Sequence, residues 1–582
     1  MRYYLTGKQA QIIDKYTQII DKYTQESLGI PGIILMEKAA EKLADSIESL
    51  LTERVKGEER DFSSYKMLSI VESGNNGGDA VAAAWMLKER GYDTYIYEIG
   101  GISRKTESYI TEVDKAKERG VTFLDLREKL EDIAEFNVVI DGIFGVGLTR
   151  DVTGIQREVV EAINACTTEK EITDRPLVVA VDIPSGISAD TGHILGAAVR
   201  CDATITFEYI KYGMLINEGR EYAGDIRCDS IGLYIPDTSK EMASILEKEG
   251  EGLYISYEYD ESEIKNLLPK RRDDSNKGTY GKVLIVAGSR EVYGAVYMAA
   301  EAAYKVGAGL VKVVTDIRNR DTLCDKLPEA MMLTYDSGKK LGKDFLSDYK
   351  TSIEWADVIL AGPGLGTGNI SVHLLKVLSE TIKDKQKLVL DADALNIISS
   401  DDNDIKFSSF ASKVGIGNVI ITPHMMEMLR IVKSRYDKKS YDFMLSGLGY
   451  KSDMDFLKDY KKDQAYNLSY TEGIITVLKD ARTLVAYKTT LDDEPGFEGY
   501  ARNCELYVNT TGNSGMSKGG SGDVLAGMIA GLVAQKREGN VADTVCMAVS
   551  LHGRAGDIAR ERVGERSMLA RDILDAIPSV FK

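Results

Sequence analysis

Apolar and polar residues fall in blocks along this chain, and one order of blocks recurs. A run of three to five apolar residues leads into a glycine-rich or acidic turn, and then often into a segment with apolar residues at helical spacing. The runs at residues 67–71, 94–97, 138–140 and 177–181 are too short for helices and read as buried strands. Gly-Asn-Asn-Gly-Gly-Asp follows the first run at residues 74–79, and residues 80–89 are predicted helical. Asp-Gly-Ile-Phe-Gly-Val-Gly-Leu-Thr-Arg follows the third at 141–150, and Asp-Ile-Pro-Ser-Gly the fourth at 182–186. Strand, loop, helix and strand make a βαβ unit, so three loops converge on one edge of a parallel sheet, where α/β proteins bind ligands. Neither glycine pattern is a Walker loop or a full Gly-x-Gly-x-x-Gly. Upstream, a turn at 27–32 precedes a helix predicted over 33–51. The heptapeptide at 12–18 is repeated at 19–25, which lengthens a helix by about two turns.

A second α/β pattern follows a charged, weakly patterned junction at 241–275, which separates segments 1–240 and 276–582. Apolar runs at 283–287, 310–314, 358–361, 388–390, 419–421 and 474–479, the last ending in Lys479, read as strands, and residues 295–306 as a helix. Residues 432–463 are rich in Lys, Asp and Tyr with weak periodicity and read as an inserted surface lobe without visible chemistry. Residues 509–523 then place five glycines and one acid in front of an apolar segment at 524–534, where a helix should begin near Gly522. The first amides of a helix lack internal partners and carry partial positive charge, so residues 519–522 read as a phosphate-binding turn. Asp523 would be repelled by phosphate. It fits a proton acceptor in phosphoryl transfer, the competing role being a helix cap.

Length and composition narrow the picture. At 582 residues the chain calls for two or more domains, and 43% hydrophobic with 28% charged residues is ordinary for a globular protein. A net charge of −18 disfavours nucleic acid or an anionic membrane as partner. Six scattered cysteines without Cys-x-x-Cys and four histidines without ligand spacing suggest neither zinc nor disulfides and fit a cytoplasmic location. Residues 1–30 lack a signal-peptide pattern, and the 524–534 run is too short to span a bilayer.

With both halves laid out, the chain resembles the bifunctional NAD(P)H-hydrate repair enzymes, an epimerase joined to a dehydratase. The resemblance rests on 74–79, 141–150 and 182–186 in the first half. In the second it rests on Lys-Gly-Thr-Tyr-Gly-Lys-Val-Leu at 277–284, Gly-Pro-Gly-Leu-Gly at 362–366, Thr-Pro-His at 422–424 and the 509–523 stretch. It implies an α/β architecture of two domains, an N-terminal Rossmann-like three-layer α/β/α domain and a C-terminal ribokinase-like domain. The implied substrates are NADH and NADPH hydrated on the nicotinamide ring. The first domain would interconvert their R and S epimers. The second would dehydrate the S form with ADP as co-substrate, giving AMP and phosphate.

Site residues follow from the same resemblance. Asn75, Asn76, Gly77, Gly78 and Asp79, with Gly145, Val146, Gly147, Leu148, Thr149, Arg150 and Asp151, would contact the hydrate in the epimerase. Asp182 would lie beside the reacting ring as a catalytic residue. Asn76, Asp141 and Ser185 would ligate a potassium ion, for which hard oxygen donors are suited. In the dehydratase, Ala295, Gly364, His424 and Asp523 would line the hydrate pocket, with Asp523 as catalytic base. Lys479, Asp480, Ala481, Arg482, Thr483 and Gly522 would hold the nucleotide. Asp391 and Asp393 either hold magnesium through water or cap the next helix. Asn276 stands where relatives commonly carry His, and the 432–463 and 491–498 stretches look longer than usual. A homo-oligomer is expected. Two rivals remain: a vitamin-pathway hydroxymethyl kinase using ATP, which leaves the first half without a role, and a non-catalytic scaffold, which has no need of a cation cage.

Overall fold

The computed structural model describes residues 1–13, 15, 32–55, 64–100, 105–127, 129–167, 175–232, 242, 245–246, 255–400, 402–488, 504–535 and 539–582. Residues 14 and 16–18 of the first heptapeptide copy, the whole second copy, residues 27–31 of the turn, residues 241, 243–244 and 247–254 of the expected junction, and the 491–498 stretch lie outside them. The described chain forms two units, one of Tyr3–Ile255 and one of Ser256–Lys582 with Met1–Arg2.

The strands of the first unit are β1 (Arg2–Leu5), β2 (Lys66–Val71), β3 (Asp93–Glu98), β4 (Thr122–Leu124), β5 (Val138–Gly142), β6 (Leu177–Val181), β7 (Ala203–Phe207), β8 (Ile210–Lys211) and β9 (Asp225–Asp229). Seven of them form a parallel sheet in the order β4-β3-β2-β5-β6-β7-β9. Successive residues of β2 serve opposite faces: Met67 and Val71 join one apolar cluster, Leu68 and Ile70 the other. Both faces are covered by helices, which is why the strands read as continuous apolar runs. Chain order reverses between β2 and β5, so the loops that follow them part and leave a crevice at their carboxyl ends.

The helix after β2 runs Asn75–Glu89, five residues earlier than the apolar spacing predicts. Its first turn consumes the glycine loop. A Cβ on Gly77 would lie 1.8 Å from the Glu72 carbonyl oxygen, so glycine lets that turn close on the strand end.

The second unit holds β10 (Ser256–Glu258), β11 (Lys282–Val286), β12 (Leu310–Asp316), β13 (Met331–Tyr335), β14 (Val358–Ala361), β15 (Lys387–Leu390), β16 (Val419–Ile421), β17 (Ile475–Leu478), β18 (Leu484–Lys488) and β19 (Cys504–Val508). Its sheet order is β13-β12-β11-β14-β15-β16-β17-β18-β19-β10, parallel from β13 to β17 and antiparallel across β18. Here the order reverses between β11 and β14. The Ser521–Gln535 helix packs against the Gly294–Lys305 helix at close range, since a Cβ on Gly527 would meet the Ala299 carbonyl oxygen at 2.2 Å.

The 432–463 lobe, whose weak periodicity gave no element prediction, is helical. The chain there forms the Lys438–Gly447 and Asp453–Asp459 helices, between the Met425–Ser434 and Lys461–Glu472 helices. Asp437 and Ser452 cap the first two through side-chain bonds, so local capping rather than an apolar stripe defines them.

Candidate functional site

In the first unit, Asn76 lies in the first helical turn after β2, Asp141 within β5, and Ser185 just beyond β6. The fold brings all three together. Ser185 donates through its backbone N–H to Asp141 Oδ2 at 2.8 Å and through Oγ to Oδ1 at 2.6 Å. The Phe144 N–H donates to Ser185 Oγ at 2.8 Å, and Asn76 Nδ2 donates to the Phe144 carbonyl at 3.0 Å. Asp141 is fully buried, and burial pushes its carboxyl up to about 6 despite the opposing bonds from Ser185 and Ile143. The cluster offers one carboxylate, one hydroxyl and neutral carbonyl oxygens. Among the described residues no group of three or more His, Cys, Asp or Glu is arranged to hold a metal. A single carboxylate with neutral hard donors fits a monovalent cation.

Asp182 follows β6 in a left-handed conformation (φ 66°), which aspartate tolerates better than most side chains. Its carboxylate is held: Lys211, at the end of β8, is 6% exposed and donates from Nζ to Asp182 Oδ1, while Thr206 Oγ1 donates to the same oxygen at 3.0 Å. Pairing of β8 with β1, Leu5 opposite Lys211, sets the lysine's position. Asp79 has no hydrogen-bond partner among the described residues. Burial, then the Asp182 and Glu112 charges, raise its carboxyl well above the usual range, with Lys211 opposing. Lys211 escaped the sequence reading because it adjoins no glycine motif. Its only signal is a lone cation directly after an apolar strand.

In the second unit, Lys479 leaves the end of β17 beside His424, which leaves the end of β16. Lys479 Nζ donates to the buried Asp391 Oδ1 at 2.7 Å. A Cβ on Gly522 would lie 3.3 Å from that same ammonium, so Lys479 reaches the start of the Ser521–Gln535 helix. Burial would lower the lysine, but Asp391, Glu427 and Asp523 outweigh it and hold it raised. Asp523 stands in the helix's first turn with no hydrogen-bond partner among the described residues. Burial foremost, then the Asp391 charge, pushes its carboxyl up to about 7, Lys479 opposing and Asp393 adding. Gly364 adjoins the start of the Gly294–Lys305 helix, where a Cβ on it would meet that of Ala295 at 3.0 Å.

His424 caps the Met425–Ser434 helix: its Nδ1 accepts from the Met426 and Glu427 N–H groups at 3.1 and 3.3 Å, and burial lowers its pKa. Nε2 lies 3.4 Å from Glu427 Oε1 and is the ring nitrogen left for a ligand. Neither Asp391 nor Asp393 caps the following helix, whose N-cap is Ala392. Asp391 pairs with Lys479, and Asp393 Oδ2 accepts from the Gly366 N–H at 2.8 Å, fixing the glycine loop after β14. In the 479–483 segment, Arg482 Nη1 donates to the Thr510 carbonyl at 2.8 Å, and Thr510 in turn donates to Glu258. The Gly512 N–H and Asn513 Nδ2 both donate to Asp557 at 2.9 Å. Two carboxylates thus anchor the 509–513 stretch ahead of the 519–522 turn. Their distance in sequence hid both.

Comparison with known proteins covers both units. The family model described as NAD(P)H-hydrate dehydratase matches residues 283–579, and that described as YjeF-related protein N-terminus matches residues 32–213. The bifunctional NAD(P)H-hydrate repair enzyme Nnr of Moorella thermoacetica is 29% identical over 561 residues, covering 95% of this chain and 93% of that one. The bifunctional NAD(P)H-hydrate repair enzyme of Leishmania infantum is 30% identical over 563 residues, covering 94% and 89%. Among solved structures, the ADP/ATP-dependent NAD(P)H-hydrate dehydratase of Bacillus subtilis, co-crystallised with ATP/Mg2+, is 25% identical. It covers 56% of this chain and 98% of its own, at a TM-score of 0.41. Matched across both halves and over nearly its whole length, the chain belongs to the family of bifunctional NAD(P)H-hydrate repair enzymes.

Proposed function

We propose that the chain repairs hydrated NADH and NADPH, with epimerisation in the first unit and ADP-dependent dehydration of the S hydrate in the second. The observation that carries the dehydratase reading is the meeting of Lys479, Asp391, Gly522 and Asp523 at one helix N-terminus. The helix amides and Lys479 hold phosphate, and Asp523 accepts the proton of the hydrate hydroxyl as that oxygen attacks the terminal phosphoryl group. Phosphorylation turns a poor leaving group into a good one. The ring nitrogen then expels phosphate, so the net change is loss of water at the expense of ADP, which becomes AMP. Magnesium would be held through water by Asp393 and the nucleotide phosphates, neutralising charge there. Asp391 is committed to Lys479. His424 supports the pocket as a cap and offers Nε2 to the hydrate.

In the epimerase, Asn76, Asp141, Ser185 and the Phe144 carbonyl would hold a potassium ion, which supplies fixed positive charge beside the 145–151 loop. Asp79 offers a proton to the departing hydroxyl as the ring nitrogen pushes it out. Asp182, oriented by Lys211 and Thr206, accepts a proton from the water that re-adds to the opposite face, so the two epimers interconvert with no net loss of water. These assignments rest on the oxygen cluster and on the Asp182–Lys211 pair.

One experiment tests the activity. The protein is incubated with mixed R and S hydrates of NADH, and separately with a hydroxymethyl substrate, each with ADP or ATP. Consumption of both epimers with ADP is expected. Turnover with ATP of a hydroxymethyl substrate, and none of the hydrate, would instead favour the kinase reading, and intact hydrates throughout would overturn the proposal.

A further inference from the structure

Asp480 lies between Lys479 and Arg482, in the segment to which the proposed function gives the nucleotide. A carboxylate there opposes any phosphate the segment is to hold. Its charge is answered from behind. Lys461, the first residue of the Lys461–Glu472 helix, is 4% exposed, and its Nζ donates to Asp480 Oδ2 at 2.7 Å. The other oxygen, Oδ1, accepts from the Ala481 N–H at 2.8 Å. A lysine so deeply covered is costly unless paired, so the contact is not an incidental surface pair. The helix that carries it is fastened to the strands on both sides of the loop: Ser469 Oγ lies 2.9 Å from Thr476 Oγ1 on β17 and 2.8 Å from the Ala486 carbonyl oxygen on β18. The neighbouring cations are engaged elsewhere, Lys479 with Asp391 and Arg482 with the Thr510 carbonyl.

We propose that Lys461 is a positioning residue for the nucleotide: it offsets the Asp480 carboxylate and holds the 479–483 loop so that the loop presents a net positive face to a nucleoside diphosphate. The lobe between β16 and β17 thereby gains a task, since it delivers the helix from which Lys461 reaches the loop. The inference rests on the nucleotide reading proposed for that loop.

The test uses the full chain as Lys461→Met, Lys461→Arg and the double variant Lys461→Met with Asp480→Asn. KM and kcat for ADP in dehydration of hydrated NADH are measured at low and high salt, and ADP affinity by calorimetry on the same samples. Lys461→Met should raise KM and Kd for ADP about tenfold, the size of one uncompensated charge near the surface, with kcat little changed. The ratio to the parent protein should shrink at high salt. Lys461→Arg should match the parent, and the double variant should bind ADP more tightly than Lys461→Met. An unchanged KM in Lys461→Met would overturn the inference. So would a raised KM that neither salt nor the second substitution lowers, which is the mark of a lysine needed only for folding. Should Lys461→Met not fold, the double variant carries the test, because its pair is replaced by neutral groups; weak ADP binding or failed folding there also overturns the inference. A parent protein that binds no ADP defeats the nucleotide reading itself, and a parent that binds ADP without turnover defeats only the proposed reaction.

Discussion

The Asp523 carboxyl, pushed up to about 7 by burial and the Asp391 charge, makes the dehydratase pH-dependent in a definite direction. A base must be ionised to accept a proton, so kcat/KM for dehydration should climb as pH rises through about 7 and level off above it. Asp523→Asn should lower the rate by about 10²- to 10⁴-fold and abolish the climb, while ADP binding holds or improves because a repulsive charge is gone. Near-parental turnover in that variant would return the residue to a structural role. Stability carries the opposite sign. The folded pKa is raised above the unfolded value, so the native state binds more protons between about pH 4 and 7 and loses stability as pH rises through that window. Asp523→Asn should remove this loss, and thermal melts of the nucleotide-free protein at pH 5 and pH 8 would reveal it. At the other site, Lys211→Met strips the partly exposed Asp182 carboxylate of its buried partner. Breaking a fully buried pair costs about 3–5 kcal/mol, and solvent at Asp182 screens the cost here below that. The expected result is a lowered Tm together with slowed epimerisation, and an unchanged epimerisation rate would leave Asp182 without the orienting role given to Lys211.

Among the elements, the helix after β2 shows how a motif works as geometry. Its first turn is the Asn-Asn-Gly-Gly-Asp segment itself, and Gly77 fits because a side chain there would strike the Glu72 carbonyl oxygen 1.8 Å away. Gly77→Ala must displace backbone. An overpacking cost of about 1–3 kcal/mol is expected, with Asn76 and Asp79 moved from their places. Epimerisation should fall steeply while dehydration persists, and both are read by assaying the two reactions on one preparation. Apolar spacing placed this helix five residues late because glycines and asparagines carry no periodic signal. For the same reason the lobe helices were missed: caps at Asp437 and Ser452 define them, and caps are not periodic. Ten strands, from β2 to β17, were legible where burial on both faces forces uninterrupted apolar runs such as Val138-Val139-Ile140, whereas β1, β4, β7, β8, β9, β10, β13, β18 and β19 were not.

For the whole molecule, each proposed site draws its residues from one unit: Asn76, Asp79, Asp141, Asp182, Ser185 and Lys211 from Tyr3–Ile255, and the Lys479 and Asp523 set from Ser256–Lys582. A fragment of residues 1–255 should therefore epimerise hydrated NADH without dehydrating it, and a folded but inert fragment would refute that independence. The amino-acid sequence by itself determined the strand and loop order, the two α/β halves, the glycine turns and the family, because these depend on local composition and on motif order. Tertiary structure alone decided the partners of the charged groups: Lys211 with Asp182, Lys479 with Asp391, Asp557 with the Gly512 N–H, and Lys461 with Asp480. Those pairs join residues 19 to 88 positions apart, on elements that only sheet order and helix packing bring together. The electrostatics that set a carboxyl's protonation depend on burial and on these neighbours.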